Sequence, residues 1–148
     1  MKVVEANITN TGLIKFFLSE LYIELGEEQE SIVFLTDELI SSMMNNGKTQ
    51  VFLIEDNEKF IGLLTLTESQ SIYAGGKYGV IDEMYMLPEY RSKQAGELLV
   101  NKAKEIAIEK KWKRIDVTAP TEERWKRTVA FYEKCGFVFT GPKLKYQF

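Results

Sequence analysis

Apolar and polar positions along this chain follow two periods, and the switches between them mark its elements. Residues 2–6 read as a short strand. Thr9 or Thr11 caps a helix whose apolar face carries Leu13, Phe16, Phe17, Leu21 and Leu25, with Gly26 as its stop. Glu27-Glu28-Gln29-Glu30 is a polar break. Thr36-Asp37-Glu38 opens a second helix, with Leu39, Ile40, Met43 and Met44 inward and Asn46-Gly47 at its end. Residues 32–35 fit helix and extended chain equally. Residues 51–54 and 60–66 are apolar strands flanking Glu55-Asp56-Asn57-Glu58, a hairpin of two central strands. Residues 69–79, with Gly75-Gly76, read as a loop.

The stretch 80–107 organises the rest. Residues 80–87 form a mostly buried strand with Asp82 and Glu83 set among apolar neighbours, and Pro88 ends it. Ser92 is a suitable N-cap, and apolar residues at 95, 98, 99, 103, 106 and 107 share one helical face. Between strand and helix lies Arg91-Ser92-Lys93-Gln94-Ala95-Gly96, a turn with two cations. Unpaired amides at a helix start, together with the macrodipole, attract phosphate. Residues 112–118 supply another strand, closed by Pro120. Residues 122–135 read as a helix with Trp125, Val129 and Tyr132 on one side, stopped by Gly136. Residues 137–140, a Gly141-Pro142 turn and residues 144–148 predict a terminal hairpin. The pattern by itself is that of an α/β or α+β domain.

Composition narrows the chemistry. The 148 residues fit a single domain, 1–148, with 45% hydrophobic and 28% charged residues, as in ordinary globular proteins. No apolar run approaches the ~18 residues a membrane span needs, and residues 1–8 lack a signal-peptide core. Cys135 is the sole cysteine, which excludes an internal disulfide and fits a cytoplasmic setting with no membrane partner. There is no histidine, which removes Ser-His-Asp, Cys-His and HExxH schemes; no metal is expected. Residues 1–87 hold 5 Lys and Arg against 14 Asp and Glu, whereas residues 88–148 hold 14 against 8. The basic half suits a polyphosphate ligand, the acidic half a cationic one, or both are merely solvated surface. The acidic total argues against a nucleic-acid partner.

The layout resembles the GNAT superfamily of acyl-CoA-dependent N-acetyltransferases. The family signature R/Q-x-x-G-x-G/A between strand and helix is matched by Arg91 and Gly96, with Gln94 at the first glycine position. Phe131-Tyr132-Glu133-Lys134-Cys135-Gly136-Phe137 matches the family's FYEKxGF box. The resemblance covers nearly the whole chain. It implies a three-layer α-β-α sandwich around a mixed, mostly antiparallel sheet, in the order β-α-α-β-β-β-α-β-α-β-β. It also implies acetyl-CoA as co-substrate and a small-molecule or peptide primary amine as acceptor, joined by direct attack in a ternary complex. Homodimerisation, frequent in the family, stays open.

Residue roles follow from the same resemblance. Tyr132 stands where the family's general-acid tyrosine lies; the alternative is a ring packed in the core. Glu83 is the candidate base, since a partly buried carboxylate gains basicity. Period two sends Glu83 to one sheet face with Tyr85 and Asp82 to the other with Met84, and Asp82 is the understudy. Met86 and Leu87 should hold the thioester and pantetheine arm, and Arg91, Ser92, Lys93, Gln94, Ala95 and Gly96 the pyrophosphate. Gln94 is expected in the first helical turn, where the departure from glycine costs little. Trp125 replaces an asparagine of many relatives, Cys135 sits at core spacing, and Glu27–Glu30 lies where relatives build the acceptor site. A rival reading keeps the fold as a catalytically silent acyl-CoA sensor or partner-binding domain.

Overall fold

The computed structural model describes residues 1–148, which divide into two compact units, 1–116 and 117–148. In the first, β1 (Lys2–Glu5) is followed by α1 (Thr11–Glu24) and α2 (Asp37–Asn45). Strands β2 (Thr49–Asp56), β3 (Lys59–Ser71) and β4 (Gly76–Met86) then lead through a single 3-10 turn, Pro88–Tyr90, into α3 (Ala95–Glu109). The last strand, β5, is Ile115–Val117, and the sheet order is β1-β2-β3-β4-β5. The pairs β1–β2, β2–β3 and β3–β4 are antiparallel. The architecture is therefore an open five-stranded α/β sheet. No helix is long and apolar enough to cross a membrane.

The two faces of the sheet are covered differently. Ile14, Phe17 and Leu18 of α1 and Ile40 of α2 pack with Val51, Leu53, Leu63 and Tyr85 in one cluster. Phe52, Ile54 and Leu64 alternate to the other face, where none is exposed at all. That face receives α3, whose Leu99, Val100 and Ala103 are equally sealed. Burying each such Leu, Ile or Phe is worth roughly 1.5–3 kcal/mol. Thr36 caps α2 as expected, accepting from Leu39 N–H at 3.1 Å.

Several elements depart from the sequence expectation; α1, for one, has Asn10 as its N-cap, not Thr9 or Thr11, and no side chain caps it. Residues 69–79 are mostly strand: β3 and β4 continue in register through Ser69–Tyr78, Gln70–Lys77 and Ser71–Gly76, turning only at residues 72–75. The extension is a two-stranded arm whose tip, Ile72 and Tyr73, is fully solvated, so no buried face imposes an apolar period on it. Ser92 does not cap α3; the N-cap is Gln94. The terminal hairpin is not formed either. In the second unit α4 (Lys126–Lys134) follows a 3-10 turn at Glu123–Trp125, and residues 137–148 carry no strand. Pro142 can give no ladder hydrogen bond, and Phe139, Leu144, Tyr146 and Phe148 stay exposed, with no burial to hold paired strands.

Candidate active site

Glu83 is the best-defined polar centre of the first unit. The Tyr22 hydroxyl donates to its Oε1 at 2.9 Å. The Thr65 hydroxyl donates to its Oε2, and Thr65 Oγ1 in turn accepts from the Glu83 N–H at 3.0 Å. Burial lifts the Glu83 carboxyl above the ordinary carboxylate range; the Thr65 and Tyr22 hydroxyls pull against that rise and the neighbouring Asp82 adds to it. Burial, then the Glu83 charge, pushes the Tyr22 phenol well above its usual value, so it stays a donor. The carboxylate is thus held by neutral donors rather than neutralised by a cation. It can take a proton.

Glu83 opens on a pocket of about 460 Å³ beneath α1 and α2. Ile14, Leu18 and Tyr22 reach it from successive turns of α1, and Leu39, Ile40 and Met43 from α2. Asp82 also lines this pocket, contrary to the period-two expectation that it turns to the opposite face from Glu83. The β3–β4 register shifts between Thr65 and Leu66, which pair with Glu83 and Ile81, so Asp82 is the extra residue of a bulge. A bulge cancels one step of alternation and brings consecutive carboxylates to one side.

Further along, β4 ends where the sequence suggests. Gly62 pairs with Met86, and Leu87 N–H donates to Ile61 O at 2.9 Å. In an antiparallel ladder this makes Gly62–Met86 the non-hydrogen-bonded pair, so the Met86 N–H and C=O point away from β3. A side chain on Gly62 would collide with the Tyr85 carbonyl and the Met86 sulfur, so glycine is needed there. The Met86 carbonyl is engaged by Arg91 Nε at 3.0 Å. The same guanidinium donates to Glu24 Oε1 at 2.6 Å and stands over the Tyr85 ring at 5.4 Å. Arg91 therefore ties the end of α1 to the end of β4. It is not an idle cation beside the helix start.

Lys93 differs, with its ammonium over the Tyr90 ring at 5.0 Å. Ser92 and Gln94 are both left-handed, at φ 65° and 64°. The expectation of helical dihedrals at Gln94 is thereby corrected: the residue keeps the backbone shape that suits the family's glycine and bears a Cβ penalty for it. No side chain of Gln94 caps α3, whose first amides, at Ala95 and Gly96, face outward from a 15-residue helix. This start fits a phosphate.

Tyr132 belongs to the second unit. Its ring meets Phe131 and Phe137 edge-on at 5.2 and 5.5 Å, and burial keeps its phenol protonated far above the usual value. It borders a pocket of about 740 Å³ formed within that unit. Gly136, at φ 96°, ends the helix as expected.

Sequence reasoning missed Tyr22, Thr65 and Glu24. Tyr22 continues the i, i+4 row of Ile14 and Leu18, and Thr65 is a lone hydroxyl in an apolar strand; both signals ask for a polar partner. Glu24 carries no comparable mark.

A core sheet whose fourth strand carries a carboxylate and then leads into an uncapped helix is the α/β layout that the sequence resemblance implies. The acetyltransferase (GNAT) family model matches residues 13–137, and the chain belongs to that family. A curated relative, an uncharacterized N-acetyltransferase of Bacillus subtilis named YhfO, is 25% identical over 118 residues, 80% of this chain and 74% of its own length. An aminoglycoside acetyltransferase from an uncultured soil metagenomic sample superposes with a TM-score of 0.81 at 14% identity, covering 99% of this chain and 94% of that one. A ribosomal-protein-alanine N-acetyltransferase from Brucella melitensis gives 0.79 at 13% identity, covering 99% and 98%. A transcriptional regulator from Bacillus halodurans gives 0.83 at 20%, covering 99% of both chains. These structures share the fold. The resemblance carried by the two sequence boxes is borne out.

Proposed function

We propose that the protein transfers the acetyl group of acetyl-CoA to a primary amine by direct attack in a ternary complex. The observation that carries this reading is Glu83: a half-buried carboxylate with a raised pKa, held by two hydroxyls at the floor of a pocket. Glu83 takes the ammonium proton, directly or through one water, and frees the nitrogen lone pair. The nitrogen then attacks the thioester carbon, with the Met86 N–H as donor to the oxygen on which charge develops. Collapse breaks the C–S bond, and the Tyr132 phenol supplies the proton that the departing thiolate needs. The surplus proton on the acylated nitrogen leaves through water, from which the phenolate is reprotonated. The amides at the start of α3, with Lys93, hold the pyrophosphate, and Leu87 borders the pantetheine arm.

The test is thiol release from acetyl-CoA across a panel of primary amines, with mass spectrometry of the product. Turnover with N-acetylated product is expected. Coenzyme binding without turnover by any amine would favour instead the silent sensor.

A further inference from the structure

We propose that the pocket beneath α1 and α2 selects a primary amine with one positive charge, an apolar chain or ring, and no carboxylate. The inference rests on the acetyl-transfer reading for its reaction, but its argument is the pocket lining alone.

Charge comes first. Asp82 and Glu83 line the pocket, and no lysine or arginine does. An ammonium is matched there, whereas a carboxylate on the same ligand would face two acids and no cation. Free amino acids are thereby disfavoured.

Polarity comes second. The remaining polar lining is already bonded to itself: Tyr22 and Thr65 to Glu83, and Thr49 to Thr67 at 3.3 Å. A sugar or polyamine would bring hydroxyls or further ammonium groups that find no partner on the apolar walls. Each such group costs about 1–3 kcal/mol when desolvated unpaired, some fivefold to hundredfold in affinity. Polyhydroxylated polycations are disfavoured as well.

The walls make the third argument. Phe34, Leu39 and Met43 line the pocket and are 54, 40 and 42% exposed. Apolar surface left open around a cleft is surface that a ligand covers. Methionine adapts to varied shapes, so the walls suit a range of chains better than one rigid outline. A pocket of about 460 Å³ holds a molecule of small-ligand size.

The experiment uses the full chain, saturating coenzyme A or acetyl-CoA, and the n-alkylamines from propyl to octyl. Phenethylamine, phenylalanine, spermidine and kanamycin complete the panel. Calorimetry reads affinity and thiol release reads turnover. Each added methylene should tighten binding about three- to fourfold until the pocket is full. Phenethylamine should exceed phenylalanine by about tenfold or more in affinity, the cost of an unpaired charge. Leu39→Lys, at the exposed rim, should weaken octylamine by about tenfold with an unchanged melting temperature. Should that variant not fold, the chain-length series on the natural protein decides alone. A flat series, or kanamycin, spermidine or phenylalanine bound or acetylated as well as the apolar amines, overturns the proposal. No binding by any amine overturns it too. Chain-length-dependent binding without thiol release leaves it standing and removes the acetyl-transfer reading instead.

Discussion

The two ends of the β4 region present ionisable groups in opposite states. Glu83 is surrounded by neutral hydroxyls and lifted towards its protonated form, so its charge is unspent. Arg91, eight residues on, is bound to a carboxylate, a carbonyl and an aromatic face. Both are residue types suited to the roles proposed for them, yet only the first lacks a neutralising partner. Availability is decided by the partner. A hydroxyl orients a charge without cancelling it, whereas an opposite charge cancels it.

The largest effect should come from Glu83→Gln, which keeps the shape and removes the base. We expect kcat to fall by about 10²–10⁴-fold in steady-state assays. Because burial raises the Glu83 pKa, the natural enzyme's rate should rise with pH through a value above the ordinary carboxylate range, and the variant should lack that limb. Stability runs the other way. The folded state favours the protonated carboxyl, so the Glu83 contribution is full below the unfolded-state pKa and is lost as pH rises through the raised folded-state pKa. At neutral pH the variant should melt no lower than the natural protein. A lower melting temperature would mean that Glu83 is structural, and the contrast with Arg91 would collapse.

Tyr132→Phe asks whether base chemistry alone limits the rate. We expect kcat to drop by about 10²-fold with coenzyme affinity unchanged, and by less with acyl donors whose thiol has a lower pKa. Equal rates with a confirmed substrate would remove Tyr132 from the reaction.

The Arg91 end is sharpened by separating the two cations. Lys93→Ala should weaken acetyl-CoA about fivefold or more by calorimetry. Glu24→Gln should tighten it by releasing Arg91, and more than Glu20→Gln, which removes the same charge from α1 without touching that ion pair. Equal effects at 20 and 24 would show that Arg91 is no less available than Lys93. The smallest effect is at Gln94. Relieving its left-handed backbone with Gln94→Gly should stabilise the fold by about 1 kcal/mol and raise Tm by about 2–4 °C.

Much of this was legible in the chain. The helices before β2, the long α3 and the strand carrying Glu83 follow from apolar spacing, because each buries a continuous face. The β3–β4 arm was not legible, since its residues are mostly polar or glycine and no alternating apolar face marks its period. The left-handed turn at Gln94 was hidden by the residue itself: glycine advertises such a backbone, glutamine does not. Tyr22 and Glu83 lie 61 positions apart, and pairing at that range leaves no local signal in either segment. The bulge at Asp82 was equally silent, because an extra residue in a strand changes no composition. Local physics shows through a single sequence, and long-range partners do not.

Ionic strength acts on the two cations of the α3 turn in opposing ways. The Arg91–Glu24 pair is half-exposed, so added salt screens it and frees the guanidinium more often. The same salt screens the pull of Lys93 on a phosphate. For a polyanionic coenzyme the first effect offsets part of the second, and affinity should decline with salt less steeply than two cations would set. In Glu24→Gln the guanidinium is released from the start, and the full slope should return.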